Sequence, residues 1–71
     1  MNAKEKNMKY DVYRGTKKDM EESGGELNLT KCNKTQVKEF CKRLGIDADK
    51  FIDGDYLVSD NGYGFWLEEA M

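Results

Sequence analysis

The sequence predicts an α+β fold, a small antiparallel sheet of three or four strands in the order β-β-α-β-β with one main helix packed on one face. Three observations support this prediction. Residues 33–46 have helical periodicity between a start and a stop signal, residues 8–14 and 26–32 alternate apolar and polar side chains, and Asn61-Gly62 separates two further strand-like runs. Strands combined with a single long helix are typical of this class.

The chain begins with a polar stretch and a first strand. Residues 1–7, MNAKEKN, have no periodicity, and we expect a disordered leader followed by one small domain of residues 8–69. In residues 8–14, MKYDVYR, the alternation of Tyr10 and Val12 with polar neighbours predicts a strand whose apolar side faces the core.

A polar connection and a second strand follow. Residues 16–25, TKKDMEESGG, end in Ser-Gly-Gly and predict a loop, in which Thr16 can cap one helical turn. Residues 26–32, ELNLTKC, alternate Leu27 and Leu29 with polar residues, which predicts a short strand paired with the first. The chain then enters the main helix directly.

The main helix is the best-marked element of the chain. Asn33 is a favourable N-cap, and Gln36 stands where the partner of a capping box is expected. Gly45 follows the last periodic residue and is expected to end the helix in a left-handed conformation. One apolar stripe should face the core. It consists of Val37, Phe40, Cys41 and Leu44.

The opposite side of the main helix carries the one concentrated basic feature of the sequence. It consists of Lys34, Lys38 and Lys42, with Lys31 just before the helix and Arg43 beside the row. Lysines about one turn apart can follow a nucleic-acid backbone, so these five residues are candidate nucleic-acid contacts. The plainer interpretation is the ordinary solvated face of an amphipathic helix.

The last third of the chain predicts a short helix and a hairpin. Residues 47–52, DADKFI, should form the helix and add Phe51 to the core. Asn61-Gly62 is the strongest short signal for a two-residue type I′ turn, which would join residues 55–59 to residues 63–68.

The register of that turn leads to the candidate protein-binding site. A two-residue turn sets Val58 opposite Phe65 on one face and Leu57 opposite Trp66 on the other. If the main helix covers the first face, Leu57 and Trp66 look outward, unless a second layer or the leader covers them. Exposed Trp and Leu are typical interface anchors, and a stacked aromatic ring can hold a single-stranded base. The alternative is that the face assignment fails and Trp66 is a core residue.

The composition argues against an enzyme. The chain has no histidine, so the commonest general base and metal ligand is missing. Cys32 and Cys41 cannot form a Cys₄ zinc site, and there is no CxxC motif or glycine-rich phosphate loop. The acidic run DADKFIDGD misses the EF-hand spacing, because Phe51 takes a ligand position. We therefore expect no catalytic residue, no metal and no cofactor.

The sequence also bears on the cellular compartment and on the distribution of charge along the chain. No apolar run is long enough for a membrane span or a signal peptide, and both cysteines are expected to be free thiols, so a cytoplasmic protein without membrane contact is predicted. The net charge is −2, but residues 1–46 carry eleven basic and seven acidic side chains, whereas residues 47–71 carry one basic and seven acidic ones. A charge difference of this size between the two parts of the chain affects how charged partners approach the protein more than it determines the fold.

The order of the aromatic strand YDVYRG, a second strand, the helix NKTQVKEFCKRLGI and a closing strand GFWLEE resembles small proteins carried by phages and mobile elements of Firmicutes. In outline the resemblance covers residues 8–68, and its specific part is residues 35–46. It implies a strand pair followed by a helix-turn-helix-like module. In DNA-binding members the Leu-Gly-Ile turn leads into a recognition helix with basic residues. Here Asp47, Asp49 and Asp53 follow instead, and a phosphate backbone would repel them.

These observations predict a non-enzymatic binding module of phage or mobile-element type that binds a protein, and that could modulate or inhibit a host protein. The alternative is a nucleic-acid-binding accessory or regulatory protein that uses the basic residues of the main helix. The sequence does not identify the partner. A monomer or a weak homodimer is expected, because an open strand edge permits pairing between copies.

Overall fold

The computed structural model describes residues 8–70, which form an antiparallel four-stranded sheet and three helices. The strands are β1 (Lys9–Arg14), β2 (Glu26–Cys32), β3 (Leu57–Val58) and β4 (Gly64–Ala70). The helices are α1 (Lys17–Glu21), α2 (Lys34–Leu44) and α3 (Ala48–Ile52). The domain is therefore α+β, as the sequence predicts. The predicted leader, residues 1–7, lies outside the described residues.

The sheet has the strand order β2-β1-β4-β3, so β1 and β4 occupy its centre and β2 and β3 its edges. The expected order β-β-α-β-β counted only the strands and the main helix, and the observed order is β-α-β-α-α-β-β. The two additional elements are the helical turn that Thr16 caps and the short helix predicted after Asp47, and both are present. In β1, Tyr10 and Val12 are buried, which confirms the apolar side predicted for this strand.

Helix α2 begins and ends where its local signals predict. The Asn33 side chain accepts a hydrogen bond from the Gln36 amide at 2.8 Å, and the Gln36 side chain accepts one from the Asn33 amide at 2.9 Å, which completes the capping box. Gly45 adopts the left-handed conformation with φ of 70°, and the Ile46 amide donates to the Cys41 carbonyl at 2.9 Å. These bonds satisfy backbone groups that a helix end leaves open.

The core lies between α2, α3 and one face of the sheet, which we call the inner face. Phe40 of α2 packs edge-to-face on Phe65 of β4, with ring centroids 5.2 Å apart, and lies 6.0 Å from Phe51 of α3. The predicted contribution of Phe51 to the core is thereby confirmed. The buried cluster consists of Tyr10, Val12, Cys32, Val37, Phe40, Cys41, Ile46, Phe51, Phe65 and Leu67.

The β3–β4 hairpin has a register one residue away from the predicted one. Leu57 pairs with Phe65 and Val58 pairs with Gly64. The predicted pairing of Val58 with Phe65 and of Leu57 with Trp66 is therefore wrong. Because paired residues share a face, the shift places Leu57 on the inner face, where it is half-buried against the core.

The hairpin loop explains this shift. The Gly62 amide donates to the Ser59 carbonyl at 2.9 Å, and the Ser59 amide donates to the Tyr63 carbonyl at 2.8 Å. Gly62 has φ of 89°, whereas Asn61 does not have the positive φ that a type I′ turn requires. The loop therefore contains three residues, 60–62, with a left-handed glycine at the third position.

Candidate functional site

The face of the sheet turned away from α2, which we call the outer face, carries a row of large side chains across the strands. Leu27 of β2 pairs with Tyr13 of β1, and Tyr13 pairs with Trp66 of β4. Tyr56, which precedes β3, extends the row, since its ring centroid lies 6.2 Å from that of Trp66. Paired residues share a face, so these four side chains form one continuous row.

Aliphatic side chains at both margins of this row are open to solvent. Val58 lies two residues beyond Tyr56 and therefore points to the same face. It is 58% exposed, and Leu27 at the opposite margin is 50% exposed. We call Tyr13, Leu27, Tyr56, Val58 and Trp66 together the outer-face surface.

Trp66 is the centre of this surface, yet it is only 2% exposed. The Tyr13 ring stacks on it, with centroids 5.8 Å apart and planes 14° apart. Gly15 and Gly25, at the two ends of the β1–β2 connection, lie directly against the edge of the indole. The prediction that Leu57 and Trp66 form an exposed pair is therefore wrong, because the two residues lie on opposite faces and the β1–β2 connection covers the indole.

Hydrogen bonds hold this cover in place. The Tyr56 hydroxyl donates to the Gly15 carbonyl at 2.8 Å, and the Gly15 amide donates to the Gly64 carbonyl at 3.0 Å. The Tyr56 ring lies over Gly64, where any Cβ would collide with it. The indole Nε1 of Trp66 donates to Glu68 at 3.3 Å. These bonds hold Tyr56 and Trp66, at the centre of the outer-face surface, in a fixed arrangement.

A cleft of about 260 Å³ opens beside the row, between the start of α1 and the hairpin loop. The Arg14 guanidinium lies 5.0 Å above the Tyr63 ring and donates to Glu26 at 2.6 Å. Asp19 accepts the Thr16 amide at 2.9 Å. Since the charged groups already have partners and the volume is below the roughly 300 Å³ at which ligand pockets begin, the cleft does not favour a small-molecule site.

The basic residues singled out from the sequence form the solvent side of α2. Lys34, Lys38 and Lys42 are exposed and lie about 6 Å apart along the helix axis. Arg43 and Lys31 are exposed as well, and none of the five forms an ion pair within residues 8–70. The acidic residue of α2 is Glu39, so this surface has a clear positive charge. We call the five residues the basic face.

Both cysteines are free thiols, as predicted, and both are buried, although burial was expected only for Cys41. Burial, followed by the nearby charge of Asp47, raises the pKa of Cys41 to about 11. Burial, followed by the charge of Asp11, also raises the pKa of Cys32. The thiolate is the reactive form of cysteine, so both side chains act as small apolar groups at neutral pH.

Within residues 8–70 no three metal-ligating side chains come together in a way that could hold an ion. Asp47, from the acidic run, has a structural role as the N-cap of α3, where its carboxylate accepts the amides of Asp49 and Lys50 at 3.0 and 3.3 Å. This N-cap stabilises the helix that carries Phe51 into the core.

The edges of the sheet are poorly suited to pairing with another strand. β2 pairs irregularly with β1 at two positions, and β3 has two residues. At one irregularity Asp11 accepts the Thr30 hydroxyl at 2.9 Å and the Lys31 amide at 3.0 Å, and Lys31 has φ of 52°. Bulges and short edge strands are devices that prevent edge-to-edge association.

The sequence did not single out four of the five residues of the outer-face surface. Leu27 and Leu29 would share one face of a regular strand, but the irregularity at Asn28 turns Leu29 inward and Leu27 outward. Tyr13 could have been found, since it alternates with the buried Val12. Trp66 was singled out from the sequence, and of the two alternatives given for it, an exposed anchor or a buried residue, the structure confirms burial.

Comparison of the chain with protein-family models, curated proteins and solved structures found no match. None of the helices formed by residues 8–70 has both the length and the apolar character needed to cross a bilayer. The function therefore has to be inferred from the surfaces themselves.

Proposed function

We propose that this chain is a non-enzymatic protein-binding module that binds its partner through the outer-face surface. The observation that carries the proposal is the exposure of Leu27 and Val58 at the margins of an aromatic row. Between them, Tyr13 and Tyr56 already pack on Trp66 and lose little conformational freedom on binding, so more of their interaction energy contributes to affinity. Aromatic and apolar anchors of this kind supply most of the energy of many protein interfaces.

An origin in a phage or mobile element, which the resemblance of residues 35–46 suggests, is part of the same proposal. A chain of this type would act on a host protein in the cytoplasm as a modulator or inhibitor. The two buried free thiols are compatible with a reducing compartment. The protected sheet edges favour a chain that acts as a monomer.

Quantitative affinity capture from a lysate of the host cell tests the proposal. The wild type is compared with Leu27→Ser/Val58→Ser, which removes the exposed apolar groups, and with the matched control Lys38→Ser/Lys42→Ser on the basic face. All four positions are exposed, so each variant should keep its fold, which circular dichroism checks. A protein retained by the wild type and the control but lost from the first variant supports the proposal. Equal retention by all three contradicts it.

The basic face supports a second candidate function, nucleic-acid binding. Its side chains are exposed, free of ion pairs within residues 8–70, and spaced by one helical turn. If four of these cations contact duplex phosphates, the logarithm of the affinity should fall with the logarithm of the salt concentration with a slope of about −3.6. Fluorescence anisotropy with a DNA duplex and a single strand measures this slope. Lys38→Ser/Lys42→Ser should halve it, and absent or salt-insensitive binding would contradict this alternative.

A further inference from the structure

Two carboxylates face each other on the outer face, directly beside the aromatic row. Asp11 of β1 pairs with Glu68 of β4, and the next outward-facing pair along these strands is Tyr13 with Trp66. Residues two positions apart on a strand are separated by roughly 7 Å, so the carboxylates border the indole and the Tyr13 ring. The hydrogen bond from the Trp66 indole to Glu68 confirms how close they lie.

The pairing of Asp11 with Glu68 is unfavourable in the free domain, because like charges directly opposite each other in a sheet repel. Both carboxylates accept hydrogen bonds from neutral groups, and neither forms an ion pair within residues 8–70. Lys9, two residues before Asp11 on β1, and Lys31 of β2 are both exposed, and neither forms an ion pair with the two carboxylates. A cation supplied from outside would relieve this repulsion.

We infer that the outer-face surface receives a polypeptide segment in which lysine or arginine lies next to apolar side chains. The inference rests on the proposed function and specifies the chemistry of the partner. The apolar side chains contact Leu27 and Tyr13, while the basic side chain lies over Asp11 and Glu68. Apolar contact supplies the affinity, and the charge pair selects the partner and its orientation. A nucleic acid does not fit this surface, because the two carboxylates would repel its phosphates.

A displayed library of random peptides tests the inference without knowledge of the natural partner. The library is selected on the wild type, and the enriched peptides are then measured on Leu27→Ser/Val58→Ser and on Asp11→Asn/Glu68→Gln. The second variant removes both charges but keeps oxygen atoms that can accept the same hydrogen bonds. We expect enriched peptides that are basic and apolar. Their binding should be lost on the first variant and about tenfold weaker on the second, since two partly exposed ion pairs contribute about 1.4 kcal/mol.

The other outcomes separate the inference from the proposed function. Peptides that need Leu27 and Val58 but are acidic or uncharged would overturn the inference and leave the proposed function standing. A selection without any peptide that depends on Leu27 and Val58 would overturn both. The unbound Asp11→Asn/Glu68→Gln variant should also melt at a higher temperature than the wild type. An unchanged or lower melting temperature would show that Asp11 and Glu68 do not repel each other in the free domain, and the inference would fail.

Discussion

Replacing Gly25 with alanine tests whether the β1–β2 connection packs tightly on Trp66. Gly25 has φ of 86°, and a Cβ there would meet Cη2 of the indole and lie 2.7 Å from its Cζ2. Gly62 is a matched control, because it has φ of 89° and a Cβ there would meet no atom within 4 Å. Both substitutions carry the same backbone strain, and only the first adds a collision with the ring.

The structure sets the size of the two effects. A left-handed conformation costs a residue with a side chain roughly 1–2 kcal/mol, which is the full cost expected for Gly62→Ala. An extra methyl in a well-packed site adds typically ~1–3 kcal/mol, so Gly25→Ala should lower the free energy of unfolding by about 2–5 kcal/mol. Each kcal/mol lowers the Tm of a domain of this size by roughly 4–8 °C, so the two variants should differ by at least about 4 °C.

Thermal unfolding followed by circular dichroism and by tryptophan fluorescence measures both consequences. The chain contains one tryptophan, so the emission reports on Trp66 alone. In the folded state Gly25→Ala should shift this emission to the red, as the cover loosens and water reaches the indole, whereas Gly62→Ala should leave it unchanged. Equal losses of stability in the two variants, with unchanged emission in both, would refute the packing described here.

Three further predictions concern individual side chains. Asn33→Ala removes the N-cap of α2 and should lower the free energy of unfolding by about 1 kcal/mol in urea titrations, while Lys34→Ala next to it should have almost no effect. The hydroxyl of Ser59 is buried without a hydrogen-bond partner among the described residues, so Ser59→Ala should leave stability unchanged or raise it by up to about 1 kcal/mol; a clear loss would reveal a bond that the structure does not show. Cys41 has a pKa of about 11 in the folded state, above its ordinary 9.0, so the unfolded chain releases the thiol proton at lower pH than the folded one. The contribution of this thiol is therefore complete below pH 9 and is lost between pH 9 and 11, and the wild type should lose stability over this range relative to Cys41→Ala; parallel pH profiles of the two would contradict this assignment.

The elements with local signals could be predicted from the sequence. Helix α2 is specified by Asn33, Gln36 and Gly45, all of which act within one turn of the residues they cap. Strand β1 follows from the alternation of Tyr10 and Val12, and α3 from the capping carboxylate of Asp47. In each of these cases the deciding interactions connect residues that are close in the chain.

The candidate site depends on interactions that the sequence pattern does not show. A loop of three residues instead of two shifted the hairpin register and moved Leu57 to the inner face. The irregularity at Asn28 turned Leu27 outward, although its spacing from Leu29 indicated one shared face. Two residues that cover Trp66 are far from it in sequence. Gly25 belongs to the β1–β2 connection, and Tyr56 precedes β3. A shift of one residue in strand register moves every side chain of that strand to the opposite face of the sheet. The alternation of apolar and polar residues does not reveal such a shift.

The proposed function requires that the outer face, and not the basic face of α2, binds the partner. NMR mapping of amide chemical-shift changes in the isotope-labelled chain is the most direct test of this requirement. The chain is titrated with the protein captured by the wild type and, separately, with a DNA duplex at near-physiological salt. We predict that the captured protein shifts the amides of Tyr13, Leu27 and Val58 and that the duplex shifts none. Shifts confined to Lys34, Lys38 and their neighbours on α2 in either titration would contradict this assignment.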